Sequence, residues 1–384
     1  MTNAHRFARR AGALTVLVLA AAASSCASAS GGGSRDQGVE PLAPRPDLSW
    51  RVTTSYQTDL WLYGYAMLQP DTTLVPYFHR GYREAMVALR QRANVTSLLD
   101  SATDTLRARL AKDSRLVGGQ FLPLYFKSWE TMQQGIQSYL QTGTAAARDR
   151  RRPSNGRGGG FNPDAGREFA VIASSFAGDT DHVWLRTFFT AMKDESTRFY
   201  QSYWTEQQQE RAPVRAAVDS LWSRVYFPKF RKYLGGTGQQ DGEVVLALPL
   251  DGEGRTIGSP QEGVRVAVGY PDSVGDAITA VYVIAHEVIG TVANESIRDN
   301  TTPAEQRAGV ADHYTSPAAV RGGELLLERV APELVTGYQR HYLQAARATY
   351  ASGGEREAFI RTFPLPPTIL DGITHRLGTV LGGI

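Results

Sequence analysis

Apolar residues recur at spacings of three and four along most of the chain from Leu48 to about Tyr233. Segments such as Tyr82-Arg-Glu-Ala-Met-Val-Ala-Leu-Arg-Gln and Trp184-Leu-Arg-Thr-Phe-Phe-Thr-Ala-Met-Lys carry the pattern, which predicts a succession of amphipathic helices. Tyr63, Tyr65, Trp129, Phe188, Phe189, Tyr200, Trp204 and Trp222 fall on these stripes and are expected to fill the core between helices. Residues 142–167 interrupt the pattern. Arg148, Arg150, Arg151, Arg152, Arg157 and Gly158-Gly-Gly160 predict a mobile basic loop there.

Beyond Tyr233 the period changes. Residues 243–250 and 263–269 are short, β-branched or apolar, and bounded by Gly and Pro, so they predict two strands of a small antiparallel sheet. The tight turn Asp251-Gly-Glu-Gly-Arg255 and an excursion through Pro260 would connect them as an elaborated hairpin, with Pro249 placing its strand at an edge. Asp272 or Ser273 then caps a helix over 274–297, and a second helix is expected over 317–330, followed by C-terminal helices. The fold class is therefore α+β and predominantly α-helical, with a helical subdomain at 48–233 and a second subdomain at 234–384.

The N-terminus changes this picture by adding an address. Arg6, Arg9 and Arg10 precede an apolar run from Ala11 to Ala23, and Ser24 and Ser25 lead into Cys26, the only cysteine of the 384 residues. Residues 1–25 read as a signal peptide, too short for a comfortable membrane-spanning helix. A lone cysteine at this point resembles the lipobox of bacterial lipoproteins, whose thiol is acylated after cleavage. That resemblance implies a lipid anchor on Cys26 and a place in the cell envelope. Ala23 stands where that pattern prefers leucine, so secretion after simple cleavage is the alternative. Residues 26–47 are small, polar and proline-bearing, which predicts a disordered tether. The formal charge of +3 belongs to the signal segment, because its three arginines are balanced by no acid. The mature chain is formally neutral, so no nucleic-acid partner is implied and the basic loop is expected to be solvated.

The chemistry-bearing segment is Val281-Tyr-Val-Ile-Ala-His-Glu-Val-Ile-Gly-Thr-Val-Ala-Asn294. Residues four apart share one face of a helix, so two histidines at that spacing can share a metal, while a glutamate beside the first turns toward bound water. Here the second position is Gly290. The order of helices, strands, a His-Glu helix and a Glu-bearing helix resembles the gluzincin class of zinc metallopeptidases. The segment from His286 to Asn294, with Arg321 and Phe363-Pro-Leu-Pro-Pro367, resembles a bacterial exported metallopeptidase-like family whose motif has degenerated to His-Glu-x-x-Gly. The resemblance covers about residues 240–370.

It implies that His286 and Glu324 are zinc ligands, that Glu287 is the general base, and that Glu328 and Asn294 support the ligands from behind. His341, with Tyr342 beside it, matches in type the late residue that steadies the reaction intermediate. His313 is the candidate to replace the missing imidazole, with Asp312 orienting it. Exposed glutamates on an amphipathic helix and a histidine in a surface loop are the ordinary alternatives for Glu324, Glu328 and His313. Two protein ligands hold zinc weakly, so catalysis is expected to be weakened or lost, with zinc weak or absent. The other outcomes are an active zinc hydrolase using His313, or a non-enzymatic envelope module that binds a peptide or protein. Close approach of another segment to the helix backbone would be one reason for a glycine at 290.

Overall fold

The computed structural model of the protein describes residues 50–72, 77–149, 163–259 and 263–382. The signal segment 1–25, Cys26 and the tether through residue 47 lie outside the described residues, as do residues 150–162 of the basic stretch. The rest is predominantly helical around one four-stranded sheet, β1 (Trp50–Thr54), β2 (Gly242–Ala247), β3 (Arg255–Ser259) and β4 (Gly263–Gly269), in the order β1-β2-β4-β3.

This sheet corrects the antiparallel expectation. β2 pairs with β4 in parallel, Val244 opposite Val266, and β1 pairs with β2 in parallel, Trp50 opposite Gly242. Only β3 runs antiparallel, against β4, with Arg255 opposite Ala267. The turn at 251–254 returns the chain to start β3, and it is β3 and β4 that form the hairpin. β2 is an interior strand, and Pro249 lies beyond its end, where its carbonyl accepts the His79 amide at 3.0 Å. β1 joins from the far end of the described chain. Its Trp50 ring lies over Gly242, where a Cβ would come within 2.2 Å of the indole.

Alternation along the strands divides the interior into two cores. Val244 and Leu246 of β2 and Val264, Val266 and Val268 of β4 face one core, built with the helices from Val214 onward. Val245, Ala247 and Ala267 face the other, built from Leu60 to Tyr200. The change of core therefore falls between Tyr200 and Val214, ahead of Tyr233. The aromatic stripe is core as expected, with Tyr63, Tyr65, Phe188, Tyr200 and Trp222 fully buried. The basic interruption is shorter than expected, because a helix runs from Trp129 to Asp149 and the next begins at Pro163.

Two buried acids tie the helical half together and to the sheet. Glu195 accepts from Tyr63 Oη at 2.6 Å, from Arg90 Nη2 at 3.3 Å and from Ser97 Oγ. Asp59, 0% exposed, accepts the Trp204 indole N–H at 2.8 Å and the Leu248 amide at 2.9 Å, just beyond β2. Burial pushes the Asp59 carboxyl up to about 7, against the opposing pull of those two hydrogen bonds and of Arg211. The folded protein thus keeps a proton that the unfolded chain releases near its ordinary value of 3.8. Stability conferred by this group is complete below that value and declines as pH rises toward 7, by on the order of 4 kcal/mol in total. Denaturant unfolding measured from pH 4 to 8 should show this decline, and Asp59→Asn should flatten it.

Candidate functional site

The His-Glu helix (Ile278–Val288) is apolar on nearly every side because it is packed on nearly every side. Residues Ala280 to His286 are all buried. The stretch Val274–Asp299 is long and apolar enough to cross a membrane by length and composition, yet 67% of its apolar window is buried inside the fold, as in a core helix. β4 covers one face and the helix Thr315–Val330 another. Gly322 and Gly323 set the closeness of that second contact. A Cβ on Gly323 would lie 3.4 Å from His286 Cα and 2.2 Å from Tyr338 Oη, and one on Gly322 would lie 2.9 Å from Ile289.

His286 is 8% exposed. Its Nδ1 lies 3.1 Å from Glu287 Oε1, its ring stacks on Tyr342 at 5.3 Å, and its Nε2 is buried with no partner. Burial works against charge on the imidazole, but Glu287, through its hydrogen bond and its charge, and Glu253 outweigh it and raise the histidine above its ordinary value. Glu287 also accepts from the Gly254 amide at 3.3 Å and from Thr256 Oγ1 at 3.1 Å, fastening the helix to the lead-in of β3. Burial would raise this carboxyl, yet His286, Arg255 and Thr256 together hold it below the usual range. Glu253, one residue before Gly254, is pushed up by burial and by the charge of Glu287.

Glu324 is 2% exposed, and each of its oxygens is taken. Arg321 Nε donates to one at 2.9 Å and Gln339 Nε2 to the other at 2.6 Å. Arg321 lies in turn over the Phe359 ring at 5.8 Å. Glu328 is half-buried and meets Arg356 at 3.5 Å. His341, on the helix Val335–Ala345, stands edge-on to Tyr342 at 5.1 Å and beside Tyr282 at 5.7 Å. Its Nε2 is also buried without a partner, and a Cβ on Gly252 would lie 3.6 Å from it. Burial depresses His341 below its ordinary value, with the His286 charge adding to this and Asp251 opposing it.

The fold thus brings His286, Glu287, Tyr342 and His341 together around the 251–254 turn. It places the other candidates elsewhere. His313 is exposed on the short turn Ala311–Tyr314, and Asn294 is half-buried on the helix Gly290–Asp299; neither hydrogen-bonds to His286 or Glu287. Gly290 is helical and, apart from its neighbours and its own helix backbone, no atom lies within 4 Å of where its Cβ would be, so no other segment approaches the backbone there. The close approaches occur at Gly322 and Gly323.

These positions do not assemble the His-His-Glu set that the resemblance implies, since position 290 offers no donor and Glu324 is held by Arg321 and Gln339. Among the described residues no three His, Cys, Asp or Glu side chains are grouped as metal ligands are. Glu253 and Gln339 escaped the sequence reading because one sits in a turn and the other in an unremarkable helical stretch. Comparison with known proteins adds no name to this site: no family model, curated protein or solved structure matches the chain.

Gly290 therefore costs helix stability without a steric return. Gly290→Ala should raise unfolding free energy by about 0.4–1 kcal/mol. Gly323→Ala should lower it by about 1–3 kcal/mol, since the new methyl meets Tyr338 and the His286 backbone. Chemical denaturation of both variants checks the contrast.

Proposed function

We propose that this is an exported bacterial lipoprotein, anchored in the cell envelope through Cys26, whose zincin-like body has weakened or lost peptidase catalysis and serves a peptide or protein ligand instead. The single observation that carries this reading is the pairing of Glu324 with Arg321 and Gln339. A ligand carboxylate must turn a lone pair to the metal, and here both oxygens compensate a buried guanidinium and a buried amide. Removing Glu324 from that pair would leave Arg321, 7% exposed, as an uncompensated buried charge.

The state of Glu287 supports the same reading. A general base must be free to take a proton from water, whereas this carboxylate is engaged by a backbone amide, a hydroxyl and an imidazole. The exposure of His313 favours loss of catalysis over an active hydrolase built on a substituted ligand. The mature protein, purified without added metal, should carry substoichiometric zinc and leave casein uncut. Full zinc occupancy with chelator-sensitive proteolysis that Glu287→Gln abolishes would contradict the proposal.

A further inference from the structure

A cleft with chemistry of its own lies in the helical half. The helix Tyr82–Arg92 lines it with Arg83, Val87 and Arg90, and the helix Leu98–Leu110 with Asp100, Asp104 and Arg107, spacings that put each set on one helical face. The helix Tyr56–Leu68 contributes Met67, 5% exposed, near its end, and the connection between the other two helices contributes Val95. The volume is about 490 Å³, within the range of small-ligand sites.

Arg90 fastens the two helices and is neutralised where it stands. It donates to both Asp100 oxygens, at 2.8 and 2.7 Å, and is backed by Ser97 and the buried Glu195. The other two arginines are not neutralised in this way. Arg107 gives its Nε to the Leu68 carbonyl at 2.9 Å, closing the end of that helix. Among the described residues its Nη1 meets only Asp104, at 3.8 Å, and that side chain is 99% exposed. Arg83 meets only its neighbour Glu84, at 3.5 Å, and its Nε is buried without a partner. Ion pairs this long and this exposed contribute little, so both guanidiniums keep donors for another acceptor. Beside them Met67, Val87 and Val95 form an apolar bed.

We propose that this cleft binds the C-terminal residue of a peptide, with Arg83 and Arg107 taking its carboxylate and Met67, Val87 and Val95 its aliphatic side chain. A planar guanidinium matches a carboxylate, and such charge-assisted hydrogen bonds are about twice as strong as neutral ones. The apolar bed favours a carboxylate carried on an aliphatic body over an inorganic anion. Thr103, in the same lining, donates to the Leu99 carbonyl at 2.7 Å, which leaves its oxygen able to accept the last N–H of a peptide. The site deepens the preceding reading and rests on it only for the class of ligand. Neither Glu287 nor Glu324 takes part.

Fluorescence anisotropy of an N-terminally labelled tetrapeptide ending in leucine tests this. Affinity for the free acid should exceed that for the C-terminal amide by on the order of tenfold, fall by about as much in Arg83→Gln, and weaken as salt is raised. Asp104→Asn removes the carboxylate that competes for Arg107 and should tighten binding, a gain that misfolding does not imitate. No binding, or equal affinity for acid and amide, would overturn the site. So would wild-type affinity in Arg83→Gln, or octanoate displacing the labelled peptide at lower concentration than the unlabelled peptide does. Each of these results leaves the loss of catalysis standing. Conversely, chelator-sensitive proteolysis would overturn the preceding function and leave the selectivity of this cleft in place.

Discussion

A carboxylate that is almost wholly buried must be compensated where it stands, and Glu324 is compensated by Arg321 three residues before it and by Gln339 on the next helix. That pairing is the constraint on which the candidate site depends. It fixes the helix Thr315–Val330 against Val335–Ala345, and so sets Tyr338, His341 and Tyr342 in front of His286. Tyr338 reinforces the same junction by donating to the Val320 carbonyl at 2.9 Å. Breaking one partner of such a buried pair typically costs about 3–5 kcal/mol.

The second constraint is the sheet. Because adjacent residues of β2 and β4 point to opposite faces, one set, mostly valines, seals the His-Glu half, while Val245, Ala247 and Ala267 receive the helical half. Asp59 fastens the two at the end of β2 through the Leu248 amide and the Trp204 indole, so the junction of the two cores carries a titrating group. The turn that follows β2 carries Asp251 and Glu253 to the histidines. The candidate site is thus assembled from three places: a turn, the His-Glu helix and a later helix.

Much of the fold was legible. Helical spacing, the strand at β4, the His-Glu helix and the helix bearing Glu324 all came from periodicity, and these are local signals. The pairing of β1 with β2 was not legible because the partners lie almost two hundred residues apart, and the parallel pairing of β2 with β4 was not because β3 intervenes between them in sequence. Asp251-Gly-Glu-Gly-Arg255 was legible as a turn, but which strands it joined depends on register that no local pattern carries. At the site, His286, Glu287 and His341 were singled out from the sequence and do come together. Glu324 was singled out for a role its partners preclude, because Arg321 and Gln339 become its neighbours only once the helices pack. Gly290 drew attention through a motif, while Gly322 and Gly323, which the packing requires, were silent until the helices crossed.

The most direct measurement is anomalous diffraction at the zinc edge from crystals of the protein grown with equimolar zinc. The account predicts no metal at ligating distance from Glu324, whose oxygens keep Arg321 and Gln339. Zinc coordinated by Glu324 and His286, with Arg321 swung away, would contradict it.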